Sequence, residues 1–368
     1  MMDIIYNVST RKSRVLKVNN RVVRATELSK RKLQVLSAIV ESYIKTGEPI
    51  GSKNLMTLIE NSPSSATLRN EMNALCSLGL LSQPHTSAGR APTSDAYRLY
   101  VTKLMKPQTV AEQTKDYIES QILSSGFDTE NIPKAAANAL TSLTDFPSVF
   151  CSFVDDNVTL KQIKLLPISR KTAVLLVVFS DGRTKNTVCQ IPSGFTADIT
   201  TEFTKIVTAD IKGKPLNLLT RAYLQSIIAK AGLSALNTTP LLTSLFALAD
   251  TAANSNIELV GESNLYNFCD DNDARKIISL VNPDTPFDEL LKSERDDNDI
   301  IFGSDTDISS LDGKVIITSK YYCKTRPCGK IGIIAPNRVE YQKIVPSVQY
   351  IAQKLTDVIT DTVNDMED

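Results

Sequence analysis

The sequence predicts an α+β protein that opens with a winged helix-turn-helix. Two observations carry this. Within 28–105, three amphipathic runs separated by short breaks lead into a compact polar segment, Gln83-Pro84-His85-Thr86-Ser87-Ala88-Gly89-Arg90-Ala91-Pro92-Thr93. Further along, β-branched stretches alternate with helical periodicity, and Asp181-Gly182 joins two of them as a hairpin turn.

In the first run Leu33, Leu36, Ile39, Val40, Tyr43 and Ile44 recur mostly at steps of three and four, which places them on one helical face. Ser29 is its expected N-cap, and Gly47 and Pro49 stop it. Ser52 is expected to cap a shorter helix with Leu55, Met56, Leu58 and Ile59. After the turn Asn61-Ser62-Pro63, Ser64 or Ser65 caps a third helix ending near Ser77. Helix, tight turn, helix is the unit that sets its second helix in a DNA major groove.

That third helix has two faces. Leu68, Met72 and Leu75 form the buried stripe, whereas Ser65, Arg69 and Asn73 lie four apart on another face, flanked by Thr67 and Asn70. Arg forks onto guanine, Asn onto adenine, and hydroxyls serve base or phosphate. The helix N-terminus at Ser64 adds free N–H groups and a partial positive charge. A strand starting at Leu80-Leu81, a polar turn over 86–90 and a return strand over 91–93 make the expected wing, with His85, Thr86, Ser87 and Arg90 as its contact candidates. His85 suits a phosphate or base contact, or a bracing role within the wing. A helix over 94–105 follows.

Charge supports a nucleic-acid partner. The chain is neutral overall, but residues 1–106 hold 16 Lys/Arg against 7 Asp/Glu, and the remainder holds 25 against 34. A basic front part suits a DNA-binding head on a body that phosphate repels. Residues 1–24 form a basic arm, with Arg11, Lys12, Arg14, Lys17, Arg21 and Arg24 opposed by Asp3. It reads either as a solvated tail or as an arm along DNA backbone or minor groove.

A chain of 368 residues predicts two or three domains. The head spans 25–106 and ends in a hinge at 107–109. Helices are expected over 110–124 and 133–143, strands over 149–153, 160–167, 172–179 and 184–190, then helices over 197–211 and 217–232. Late strands over 300–302, 315–318 and 330–334 precede a closing amphipathic helix over 341–360. One antiparallel sheet is expected from 107–215 and 299–368, with 216–298 inserted as a separate α/β unit.

Specific strings then point to a family. They are Glu48-Pro49-Ile50-Gly51-Ser52-Lys53, Ser64-Ser65-Ala66-Thr67-Leu68-Arg69-Asn70-Glu71-Met72, Leu78-Gly79-Leu80-Leu81 and the segment 83–93. Downstream stand Gly261-Glu262-Ser263-Asn264-Leu265, Gly329-Lys330-Ile331-Gly332-Ile333-Ile334 and Arg338-Val339-Glu340-Tyr341. Together they resemble the heat-inducible transcription repressor family, HrcA, over most of the chain. Ala335-Pro336-Asn337-Arg338-Val339-Glu340-Tyr341 departs from the usual Gly-Pro-Thr-Arg-Met-Asp-Tyr, and the basic arm is longer than usual. The resemblance implies a winged-helix head, a GAF-like domain in two segments and an inserted dimerising domain at 216–298. It further implies a homodimer that binds an inverted repeat in duplex DNA, represses chaperonin operons and is kept competent by the chaperonin itself.

Two other classes compete. A GAF-like domain that binds a small-molecule effector would make the chain an effector-controlled regulator. An enzyme is disfavoured, because the single histidine lies in the wing and the sequence shows neither a nucleophile elbow nor a phosphate-binding loop. No cofactor or metal site is expected: Cys76, Cys151, Cys189 and Cys269 are scattered, and the close pair Cys323 and Cys328 lacks a second pair. With no apolar run near the ~18–20 residues that span a membrane and no signal peptide, a cytoplasmic location is expected.

Overall fold

The computed structural model describes residues 16–18, 21–23, 28–84, 89–126, 129–153, 157–191, 194, 196–232, 237–254, 256–293 and 297–367. Inside the basic arm, β1 (Leu16–Val18) pairs antiparallel with β2 (Arg21–Val23), so the arm contains a short ladder where a solvated tail was one expectation.

The head follows the predicted order. Helix α1 (Lys30–Thr46) starts where Ser29 Oγ accepts from Lys32 N–H, and it ends at Gly47, whose N–H reaches the Tyr43 carbonyl at φ 75°. The left-handed φ explains the glycine. Helix α2 (Ser52–Met56) begins at Ser52 with Gly51 as its cap, so Ser52 is the first helical residue and not the expected cap. Helix α3 (Ser65–Ser77) is capped by Ser64 and buries Leu68, Met72 and Leu75. Fully buried Leu36, Ile39, Leu55 and Leu68 lock the three helices together, each worth about 1.5–3 kcal/mol over an exposed position. Strands β3 (Leu81–Ser82) and β4 (Ala91–Pro92) pair antiparallel as the base of the wing. The predicted helix after the wing is α4 (Ser94–Leu99) running into a π-helical turn over Tyr100–Leu104.

Helices α5 (Glu112–Leu123) and α6 (Asn131–Thr144) lead to β5 (Ser148–Ser152). Next come β6 (Leu160–Pro167), β7 (Thr172–Phe179) and β8 (Thr184–Gln190), then α7 (Ala197–Ile206), α8 (Arg221–Ala231) and α9 (Thr239–Ala253). The chain returns through β9 (Ile257–Val260), α10 (Asp271–Leu280) and α11 (Pro286–Lys292). It closes with β10 (Asn298–Phe302), β11 (Lys314–Cys323), β12 (Arg326–Pro336) and the long α12 (Tyr341–Glu367).

The expected single sheet is instead two. One is five-stranded and fully antiparallel, in the order β10-β11-β12-β5-β9; the other is β6-β7-β8 alone. Residues of β6–β8 share a core with α7, α8 and α9, centred on Leu175, Val177, Phe179, Phe203, Leu241 and Leu245. Strand β9, expected in the insertion, is an edge strand of the five-stranded sheet, and helices α10 and α11, also expected there, pack on that sheet. The second core is therefore drawn from residues between Val158 and Ala253, a span that overlaps 216–298 only in part. Apolar alternation tells which residues of a strand face inward, but not which sheet the strand joins.

The five-stranded sheet is covered on both faces. On one face Ile317, Tyr321, Ile331 and Ile333 pack with α6 and α12; on the other Val149, Cys151, Ile316 and Ile334 meet Ala274, Ile277, Phe287 and Leu291. The second face also buries an ion pair, Lys330 Nζ to Asp299 Oδ2 at 2.8 Å, with Lys330 1% and Asp299 5% exposed. Tyr350 of α12 donates to Glu119 of α5 (2.6 Å), which also pairs with Lys354 (2.8 Å). The seam between head and body is closed, with Tyr97, Tyr100, Phe302 and Tyr341 all buried.

Candidate nucleic-acid interface

Helix α3 presents Arg69, Asn70 and Asn73 to solvent while its opposite stripe is buried. The four-residue step that separates Leu68 from Met72 also separates Arg69 from Asn73, so core packing aims the polar row outward. The helix start is built by local bonds. Ser64 Oγ accepts from Thr67 N–H at 3.2 Å and lies 3.0 Å from the Thr67 hydroxyl. Ser65 Oγ is 2.9 Å from Ser52 Oγ, which ties α3 to α2. Ser64, Ser65 and Thr67 thus have roles in shaping the turn, whereas Arg69 and Asn70 are exposed along the helix.

Arg90 does not stand at the tip of the wing. Its backbone exchanges hydrogen bonds with Ile50, N–H to O at 2.9 Å and O from N–H at 3.1 Å, adding a third chain segment beside the wing base. Its guanidinium donates from Nη2 to Asn73 Oδ1 at 2.9 Å. An asparagine grips adenine by donating and accepting at once. With its oxygen engaged by Arg90, Asn73 keeps the amide donors, and its part in the site is a bridge between α3 and the wing. Gly89 makes this approach possible: a Cβ there would lie 2.3 Å from the Ile50 carbonyl carbon. His85, Thr86 and Ser87 lie outside the described residues.

The Ile50 bridge was not legible in the sequence, since one residue between helices carries no strand periodicity. Lys53, not among the predicted contacts, is exposed in α2, the helix that in this motif crosses the DNA backbone. Its signal was its place directly after Gly51-Ser52, ahead of the turn.

Other chemistry is sparse. Among the described residues no group of three or more His, Cys, Asp or Glu side chains could hold a metal ion. No helix among them is long and apolar enough to cross a membrane. All six cysteines are free thiols. Burial pushes the Cys151 thiol up to about 11 and the Cys328 thiol up to about 12, so neither supplies thiolate near neutral pH.

Comparison with known proteins gives the family. Residues 27–106 match the family described as "Winged helix-turn-helix transcription repressor, HrcA DNA-binding", and residues 130–345 match "HrcA protein C terminal domain". A heat-inducible transcription repressor HrcA of Clostridium tetani is 30% identical over 340 residues, covering 91% of this chain and 97% of its own length. That of Ruminiclostridium cellulolyticum is 30% identical over 341 residues, covering 90% and 97%. A solved structure described as a hypothetical protein superposes with a TM-score of 0.68 at 23% identity, over 91% of this chain and 99% of that one, and shares the fold. The head is thus a DNA-binding winged helix, and the family is one of transcription repressors, not of enzymes. The chain belongs to the HrcA family of heat-inducible transcription repressors.

Proposed function

We propose that this chain represses chaperonin operons by binding an inverted repeat as a cytoplasmic homodimer, and that the chaperonin keeps it competent. The observation that carries the reading is the exposed row Arg69, Asn70 and Asn73 on a helix whose other face is locked into the head, beside a wing base fastened to Ile50. Arg69 and Asn70 read base edges, Lys53 and the N-terminal turn of α3 meet phosphate, and Arg90 holds Asn73 at the groove. Ser64, Ser65 and Thr67 shape that N-terminal turn, and His85, Thr86 and Ser87 complete the wing contacts.

Two-fold pairing is supported by the open face of the β6–β8 sheet. Leu166, Val174 and Val188 are in register across its three strands, and Leu166 and Val188 are 50% and 61% exposed, with Ile168 beside them at 62%. An apolar sheet face of this kind suits a second copy. The double variant Leu166→Glu, Val188→Glu should run as a monomer in sedimentation analysis while its circular dichroism stays unchanged. A dimer that survives both charges would move the interface elsewhere.

The test of function is salt-dependent binding to an inverted repeat from a chaperonin promoter and to its scrambled counterpart, with and without chaperonin. Tight binding to the repeat, strengthened by chaperonin, is the expected result. Arg69→Ala should cost about 1–3 kcal/mol on the repeat and little on the scrambled duplex. Equal, salt-sensitive binding of the wild type to both duplexes would refute sequence-specific repression; no response to chaperonin would refute the feedback alone.

A further inference from the structure

The seam between head and body gathers features that the DNA contacts do not use. Tyr97 of α4 meets Tyr341 with ring centroids 6.0 Å apart, and Tyr341 meets Phe302 at 6.5 Å. Arg98 pairs with Asp305 while its guanidinium lies 5.4 Å over the Phe302 ring. Asn337 Nδ2 donates to Ser94 Oγ at 3.0 Å. Arg338 comes so close to the C-terminal end of α1 that a Cβ on Gly47 would lie 2.6 Å from its Nη1, a favourable place for a cation against the helix dipole.

Gln342 joins this seam to the linker. Its side-chain amide donates to the Tyr100 hydroxyl at 2.8 Å, and its carbonyl accepts from Gln108 N–H at 2.9 Å. That carbonyl is available for a simple reason. The residue four further along α12 is Pro346, which has no N–H to give it. The proline therefore leaves an open acceptor inside the helix, and the linker after the head fills it. The recognition face of α3 stays exposed with the head docked, so the seam does not occlude DNA.

We propose that this seam is a positioning latch: it holds each head in one orientation on the body, so that the two heads of a dimer meet two half-sites at a single spacing. The latch rests on the homodimeric DNA-binding reading above. With the latch closed, the second head binds at the high effective concentration of a rigid tether; with it open, that advantage falls and the spacing rule relaxes. Phe302, Asp305 and residues 337–342 thereby set which operators are bound, although none of them faces DNA.

The test uses the full chain with Arg98→Ala, Asp305→Ala and Pro346→Ala. The first two break the Arg98–Asp305 pair from opposite sides of the seam, and Arg98→Ala also removes the contacts with Phe302 and Asp95. The third restores an N–H that competes for the Gln342 carbonyl, and it leaves the folded core intact. The probes are the inverted repeat that wild type enriches from a randomised duplex pool, one isolated half-site, and the repeat with its spacer lengthened by roughly 5 base pairs, half a helical turn. Affinity for the repeat should fall about tenfold or more, half-site affinity should hold, and the variants should lose less than wild type on the lengthened spacer. Amide exchange over 94–108 should quicken in all three. Equal losses on repeat and half-site, or unchanged binding with quickened exchange, would overturn the latch. Exchange that stays at the wild-type rate would overturn it too, whatever the DNA result. Failure of wild type to enrich any repeat would count against the DNA-binding reading instead, and the exchange arm would still judge the closed seam.

Discussion

Asp299→Ala should destabilise the body by about 3–5 kcal/mol, because it strands the Lys330 ammonium in an apolar interior. Lys330 sits on β12 with only 1% of its surface exposed, and its charge is met by Asp299 at 2.8 Å and the Ser293 carbonyl at 3.2 Å. Val149, Cys151, Ile301 and Ile316 belong to the apolar core on this side of the sheet, and Thr318 lies opposite Asp299 in the strand register. Urea unfolding with a body-specific probe would measure the loss. The double variant Asp299→Leu, Lys330→Met should recover most of it, since replacing both charges removes the desolvation cost along with the attraction. A single variant within about 1 kcal/mol of wild type would mean that water reaches the ammonium and that the pair is not dry.

Gly89→Ala should strain the wing base by about 1–3 kcal/mol and thereby lower operator affinity, while the body melts as before. The added Cβ would lie 2.3, 2.4 and 2.7 Å from the Ile50 carbonyl carbon, oxygen and nitrogen. Backbone cannot rotate away as a side chain can, so the Ile50–Arg90 bridge must open. Arg90 would then lose the position from which it holds Asn73. Filter binding on an inverted repeat, beside thermal unfolding of the same sample, separates the two effects. Wild-type affinity in this variant would show that the wing base does not position the contacts.

The head was legible in the sequence nearly residue by residue. Ser29, Ser64 and Gly47 are local signals that act within one helical turn, and the period-3.6 stripes of α1 and α3 need only each other to be buried. Strands β6, β7 and β8 were read at their observed bounds for a related reason: alternation and a tight Asp-Gly turn are short-range features. What failed was membership. Nothing in 160–190 says whether those strands extend the sheet of β12 or leave it, because that choice depends on where β9 returns to pair with β5.

The candidate site divides in the same way. Residue types and spacing along α3 identified the polar row, and charge partition identified the end of the molecule that meets DNA. Which members of the row are free was decided by tertiary contacts: Ser65 is engaged by Ser52, Asn73 by Arg90, and Arg90 by Ile50. The sequence by itself determined the head helices, the Ser29 and Ser64 caps, the polar row of α3 and the family, since these follow from local periodicity and from strings of adjacent residues. Only the tertiary structure decided the two-sheet body, the buried Lys330–Asp299 pair and the seam at Tyr341 and Gln342. Each of those joins residues far apart in the chain, and the energy that selects them arises only once both partners have left water.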